Sequence, residues 1–288
     1  MFIASGWKDY EVIDTGDGEK LERWNGIVLR RPDPQAIWPK QQPGLWEKPD
    51  AWYHRSQKGG GEWEFKNLPE EWEISYKELT FRLKPFSFKH TGLFPEQAVN
   101  WDWFSSIIKS KINSNPGKPF KVLNLFAYTG GATLSAAKAG AAVTHVDASK
   151  GMVAWAKENA AVSGLSDAPV RWLVDDCVKF VEREIRRGNH YDAIIMDPPS
   201  YGRGPSGELW KLEDSFYDLV NLTSNLLSDD PLFFIASSYA TEITAEASGQ
   251  ILSLGIKGGR VDAGEIGLPV SRMGINLPCG SVARWTPQ

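Results

Sequence analysis

The sequence predicts an α/β protein: a mostly parallel sheet wound with helices, preceded by a smaller β-rich domain. Three observations carry this. Beyond about Asn100, apolar runs of strand length alternate with stretches of helical period, the pattern of a parallel sheet covered on both faces. Before residue 90 the texture differs, because seven of the thirteen tryptophans fall there among Pro- and Gly-rich runs such as RRPDPQAIWPKQQPGLWEKPD, which forbid long helices. The residues least expected of a plain sheet, in YTGG, at Asp147, at Asp176 and in DPPSY, all fall where strands should end.

Residues 1–89 are therefore read as a β-rich N-terminal domain and residues 90–288 as a second domain. In the first, alternating runs such as WEISYKELTFRLK supply strands, and Trp7, Trp24, Trp38, Trp46, Trp52, Trp63 and Trp72 are assigned to core and interface packing ahead of base stacking. In the second, KVLNLFA is a buried strand and GGATLSAAKAG the helix after it. AAVTHVDAS is a second strand, and Ser149 caps the helix that follows. VRWLVDDCVKFVEREIRRG gives a third strand and a helix closed by basic residues and Gly188. YDAIIMDPPSYGRG is a fourth strand with a Pro-rich loop, LEDSFYDLVNLTSNLLS another helix and PLFFIASSYA a fifth strand.

Composition excludes several classes. At 288 residues, 42% hydrophobic and 24% charged, the chain suits a folded globular protein rather than a disordered or membrane one. The opening MFIASGWKDYEVIDTG lacks a basic segment followed by an apolar run, so a cytoplasmic location is expected. Cys177 and Cys279 form no CxxC or Cys/His cluster, so neither a disulfide framework nor a metal site is expected. A formal charge of −4 argues against a wholesale nucleic-acid binder, although a local basic face suffices for an enzyme to dock RNA.

The strand ends suggest the ligand. Gly130 and Gly131 permit a tight turn, but the G-x-G-x-x-G arrangement that cradles a pyrophosphate is absent. Asp147 lies about 16 residues beyond, where a carboxylate takes both hydroxyls of a ribose, in NAD and in S-adenosylmethionine alike. Asp176 is placed to accept from an adenine amino group, beside the Cys177 backbone amide. In MDPPSY, two prolines fix the backbone so that Asp197 borders the crevice.

As a set, HTGLFPEQAVNWDWF, VLNLFAYTGGATLSAAKAGA, VTHVDASKGMVAWAKENAAVSGL and YDAIIMDPPSYGRG resemble the class I S-adenosylmethionine-dependent methyltransferases. The nearest likeness is to the bacterial large-subunit ribosomal-RNA methyltransferases of the cytosine-C5 and guanine-N7 type, over roughly residues 90–240. The resemblance implies a Rossmann-like methyltransferase domain with a mostly parallel seven-stranded sheet finished by a terminal β-hairpin from GGRVDAGEIGLPV and GSVARWT, S-adenosyl-L-methionine as cofactor, and ribosomal RNA as substrate. It implies that Thr91, Phe94 and Gln97 line the cofactor pocket and that Tyr128, Thr129 and Gly130 face the methionine part. Asp147 would take the ribose, with Ala148 and Ser149 beside it, and Asp176 with Cys177 the adenine. Asn124, Phe126, Ala127 and Asn159 complete the cofactor set. By the same resemblance Asp197, Pro198, Pro199 and Tyr201 would border the transferred methyl, Asp197 also touching the cofactor.

One departure shapes the expected chemistry. Cytosine-C5 enzymes need a thiolate, yet the fifth strand end reads IASSYA, with Ser237 and Ser238, and a serine without an activating base is a weak nucleophile. Direct in-line transfer to a base nitrogen, with Tyr201 stacked on the acceptor, is the expected reaction. Lys84, Lys89, His90 and Arg203 are read by default as a solvated charge run, with contact to phosphates as the alternative. The alternatives are a methyltransferase of small molecules or protein side chains, and a non-catalytic S-adenosylmethionine-binding module.

Overall fold

The computed structural model describes residues 1–56, 60–86, 89–117, 119–203 and 209–288. The Arg203 side chain and Gly204 of the DPPSYGRG segment lie outside the described part. The chain divides into two compact units, one of Met1–Val99 with Ile266–Cys279, the other of Asn100–Glu265 with Gly280–Gln288.

The first unit is β-rich. Its strands are β1 (Phe2–Ile3), β2 (Tyr10–Gly16), β3 (Glu19–Trp24), β4 (Ile27–Pro32), β5 (Ala51–Arg55), β6 (Gly61–Phe65), β7 (Trp72–Tyr76) and β8 (Leu79–Leu83). Strands β2 to β4 form an antiparallel meander, β5 joins β4 in parallel, and β6 closes antiparallel on β5. Strands β7 and β8, from WEISYKELTFRL, make a separate hairpin whose alternate residues are buried. Of the seven tryptophans assigned to packing, Trp24, Trp46 and Trp72 are buried, whereas Trp7, Trp38, Trp52 and Trp63 are half-buried. A charged cluster sits in this core: buried Glu22 accepts from the Tyr10 hydroxyl at 2.6 Å and from Arg31 Nε and a terminal nitrogen at 2.6 and 2.8 Å.

The second unit contains α1 (Ala98–Ser114) from Asn100 onward, β9 (Lys121–Leu125), α2 (Gly131–Lys138), β10 (Ala142–Asp147), α3 (Lys150–Val162), β11 (Val170–Val174), α4 (Cys177–Arg186) and β12 (Ala193–Met196). A short hairpin β13 (Tyr201–Arg203) and β14 (Leu209–Lys211) precedes α5 (Leu212–Ser224), β15 (Phe233–Ser238) and α6 (Ala245–Gly255). The chain closes with β16 (Arg260–Val270) and β17 (Ile275–Thr286), the expected hairpin, each strand giving one portion to each unit.

Strand order is β11-β10-β9-β12-β15-β17-β16. The first five strands are parallel and β17 runs antiparallel to β15. Adjacent Phe233 and Phe234 on β15 project to opposite faces: Phe233 stacks on Phe104 of α1 at 5.8 Å, and Phe234 joins the core with Phe180 of α4, Leu219 of α5 and Leu252 of α6. Burial on both faces explains why β12 and β15 are nearly continuous apolar runs rather than alternating ones.

From β9 the chain winds outward through β10 to β11, then crosses back from β11 to β12 on the other side of β9. That is the point of a wound sheet where a crevice opens beyond the carboxyl ends. The register brings those ends level, with Leu125 beside both Val146 and Met196, and Met196 beside Ala236.

Candidate active site

The loop after β9 is held in a strained shape. Phe126 and Tyr128 have φ of +55° and +49°, the left-handed region that non-glycine residues avoid, and Gly130 follows at +89°. Each such non-glycine residue costs about 1–3 kcal/mol and persists only when its surroundings impose it. The imposing contacts are visible. Phe126 N–H donates to Cys177 Sγ at 3.3 Å, Tyr128 N–H to Asp147 Oδ2 at 2.8 Å, and the Asn159 side chain to the Thr129 carbonyl at 2.9 Å. The two glycines act differently. Gly130 supplies the backbone angle, whereas a Cβ at Gly131 would stand 2.6 Å from the Trp101 ring. That close approach keeps the first turn of α2 against α1.

Asp147 ends β10 with both carboxylate oxygens oriented by backbone amides, Oδ2 by Tyr128 and Oδ1 by Ser149 at 2.8 Å. Burial pushes its carboxyl above the ordinary value, against the pull of those amides. Ala148 is exposed beside it, and Ser149 accepts from Met152 N–H as the cap of α3. Asp176 caps α4, accepting Lys179 N–H on Oδ1 at 2.9 Å. Asn124 turns its amide away into a buried chain, donating to Thr133 Oγ1 at 2.9 Å, which meets His145 Nδ1 at 2.9 Å.

At the end of β12, Asp197 is half-buried, Pro198 buried and Pro199 exposed, and Tyr201 is 58% exposed. A residue outside the sequence-based set ties this lip down. Trp210 on β14 donates its indole N–H to the Pro199 carbonyl at 2.7 Å, and its ring lies 6.3 Å from that of Phe126. It links the proline lip to the β9 loop. The only hint in the sequence is a tryptophan placed just before a helix in ELWKLED.

Neither cysteine is poised for attack. Burial raises the thiol of Cys177 far above its ordinary value, and it does the same to Cys279, which belongs to the first unit. Ser237 and Ser238 are buried at the end of β15, and Ser238 Oγ accepts from Ala240 N–H at 3.2 Å. Thr91, Phe94 and Gln97 lie in the first unit: Thr91 is fully buried, the Phe94 ring is 5.3 Å from His90, and Gln97 ends a short 3-10 turn, Pro95–Gln97. The second unit thus gathers 126–130, Asp147, Asp176, Cys177 and the 197–201 lip at one row of strand ends. Among the described residues there is no cluster of His, Cys, Asp or Glu able to hold a metal, and no helix long and apolar enough to cross a membrane.

A wound sheet with a strained small-residue loop, a ribose-competent carboxylate and an Asp-Pro-Pro lip defines a Rossmann-like enzyme that works on an adenosine-bearing cofactor. The family model for S-adenosylmethionine-dependent methyltransferases matches residues 51–223, and the chain belongs to that family. A methyltransferase of this kind from Agrobacterium tumefaciens is 37% identical, with a TM-score of 0.91 over 100% of this chain and 93% of that one. The ribosomal RNA large subunit methyltransferase K/L of Syntrophotalea carbinolica is 30% identical over 188 residues, 64% of this chain. This chain spans only 25% of that relative's length. SMU.776, determined with S-adenosylhomocysteine bound, is 19% identical with a TM-score of 0.74 over 98% of this chain and 76% of that one, a likeness of fold.

The residues present fit S-adenosylmethionine. Asp147 holds two oriented, partly desolvated oxygens suited to a ribose diol, and Asp176 uses one oxygen for its cap while the other takes no hydrogen bond from the described residues. A Cβ at Gly130 would meet that of Ala156 at 3.0 Å, so the loop closes onto α3 with no side chain intruding.

Proposed function

We propose that the chain methylates a base nitrogen of ribosomal RNA by direct in-line transfer. The observation that carries the acceptor class is the likeness to the Syntrophotalea ribosomal-RNA methyltransferase, joined to an exposed Tyr201 ring beside the Asp197-Pro198 lip. An aromatic face at that place suits a planar base, for which stacking contributes about 1–3 kcal/mol.

Bound S-adenosylmethionine supplies an activated methyl group whose transfer is a displacement at carbon. The protein's part is positioning. Asp147 and Asp176 would fix the adenosine, and the 126–131 loop the methionine end. The Asp197 carboxylate and neighbouring carbonyls would orient the acceptor nitrogen, accepting its hydrogens where it is an amine. Placement of this kind accounts for most of the acceleration in such transfers. The high pKa of the buried Cys177 thiol and the serines on β15 speak for transfer without a covalent enzyme-base adduct.

The test is to incubate the protein with radiolabelled S-adenosylmethionine and separately purified ribosomal RNA, ribosomal particles, protein and metabolite fractions. The labelled species is then digested to nucleosides to locate the methyl. Label on a base nitrogen of ribosomal RNA is expected. Label confined to protein or metabolite overturns the RNA reading, and label on a ring carbon overturns the nitrogen one.

A further inference from the structure

The first unit holds a pocket of ≈ 280 Å³ walled by Pro32, Pro34, Tyr53, Arg55, Lys89 and His90. Its charge is unbalanced. Nearby, Arg31 is paired with Glu22, and Lys20 reaches Asp33 at 3.2 Å and Glu22 at 3.6 Å, so two cations meet two carboxylates. Lys89 and Arg55 have no such partner among the described residues. The Lys89 ammonium donates to the Pro32 carbonyl at 3.1 Å, a dipole and not an anion. Burial, helped by the charges of Lys20 and Arg31, pulls its pKa down to about 8 despite Asp33 and Glu22. An ammonium held in that way gains from an arriving anion.

The rest of the wall says which anion. His90 is pushed down to about 4 by burial and by Arg31, Lys89 and Lys20, so near neutral pH it is an uncharged hydrogen-bonding group. Arg55 is exposed, which opens the mouth to solvent and puts a guanidinium there, the group best matched to phosphate oxygens. The volume falls below the roughly 300–1,000 Å³ of sites that enclose whole small molecules. It suits a phosphate with part of its sugar, and an open mouth suits a phosphate that belongs to a longer chain.

We propose that this pocket is a phosphate subsite that takes one backbone phosphodiester of the RNA substrate between Arg55 and Lys89. The proposal rests on the RNA reading above, and its test separates the two. Arg55→Gln, Lys89→Gln and the double variant are compared with wild type for binding of a short single-stranded RNA across a salt series. Binding of S-adenosylmethionine and thermal unfolding are followed in parallel. Because Arg55 is exposed, its variant keeps the test open even if the Lys89 change harms folding.

The double variant is expected to bind RNA about tenfold more weakly. Its log-log salt slope should be shallower by about 0.7, the value for one phosphate on a single strand, with cofactor affinity unchanged. Wild type that binds and methylates RNA while the variants match it in affinity and slope overturns the subsite and leaves the function standing. If wild type neither binds nor methylates RNA, the function reading fails, and inorganic phosphate decides the subsite. Broadening of its phosphorus resonance by wild type and not by the double variant retains a phosphate site for a smaller ester or a phosphopeptide; no broadening by wild type overturns it.

Discussion

The Asp147 carboxylate holds the Tyr128 amide at 2.8 Å while Tyr128 sits at φ +49°, so one side chain both stabilises the strained loop and presents oxygens to the crevice. Asp147→Ala should therefore weaken S-adenosylmethionine binding by more than a lost hydrogen bond. Charge-assisted bonds contribute about 1.5–3 kcal/mol, so a loss of tenfold to a few hundredfold is expected by calorimetry. Undiminished affinity would remove Asp147 from the site. The pH dependence follows in sign. Burial raises this carboxyl, so protonation, which removes an acceptor for the ribose, begins at higher pH than for an ordinary aspartate. Cofactor affinity should fall as pH drops through the upper carboxylate range, and this part of the fall should vanish in Asp147→Asn. For stability the sign is opposite, since a raised carboxyl favours the fold in its protonated form.

The β12 and β15 strands were legible because each is buried on both faces and so reads as a nearly unbroken apolar run, β9 and β10 because the polar Asn124, Thr144 and His145 interrupt otherwise apolar segments of strand length, and the cap Ser149 because a short polar residue before a helical period has few other uses. Other features had no local signal. The left-handed angles at Phe126 and Tyr128 are imposed by Cys177 and Asp147, each distant in sequence. Asn124 is visibly polar within an apolar strand, but its partner Thr133 lies on a helix and only the fold shows which way it turns. Helix α6 contains Gly249 and Gly255, which argue against a helix. They are there for close packing, since a Cβ would stand 3.0 Å from that of Ala263 and 2.9 Å from Val220. Nothing in GLPVSRMGINLPC marks Ile266–Cys279 as part of the first unit.

Glu22 should set part of the acid stability. Its carboxyl is fully buried among Tyr10, Arg31 and Lys20, and despite burial those cations hold its pKa to about 2. A lowered carboxyl contributes stability that is complete above its unfolded value and lost as pH falls toward the folded one. The affected window is therefore from roughly 4.5 down to 2, with about 3 kcal/mol at stake. Glu22→Gln leaves Arg31 without its buried counter-charge and Lys20 with Asp33 alone, and a loss of about 3–5 kcal/mol at neutral pH is expected from urea unfolding. The variant's stability should change less than wild type's between pH 5 and 3; equal slopes would show that Glu22 is not the group titrating.

Trp210 should act as a positioning residue. Its indole holds the Pro199 carbonyl and its ring packs near Phe126, so its loss frees the lip without touching Asp147 and Asp176, the carboxylates proposed to hold adenosine. Trp210→Ala is expected to lower kcat about tenfold or more and to raise KM for the acceptor, with cofactor affinity nearly constant. Trp210→Phe, which keeps packing but not the hydrogen bond, should fall between. A parallel loss of cofactor binding would mean that the β9 loop itself had come apart.

The chemistry of the lip separates direct from covalent transfer. If Asp197 orients the acceptor nitrogen, Asp197→Ala should lower kcat by a larger factor than it raises the cofactor dissociation constant, because the interaction is made with the acceptor at the reacting centre. If no thiolate takes part, Cys177→Ala should retain turnover apart from a stability loss, its Sγ serving to receive the Phe126 amide within the core. Cys279→Ala should behave likewise, since burial keeps that thiol protonated. A covalent route would require one of these sulfurs to ionise against a strongly raised pKa and then to reach a base ring. RNA containing 5-fluorocytosine is the decisive probe: it traps an enzyme that attacks the ring through sulfur, and here it should be released unmodified. A denaturation-resistant complex lost on changing either cysteine would overturn nitrogen as the acceptor.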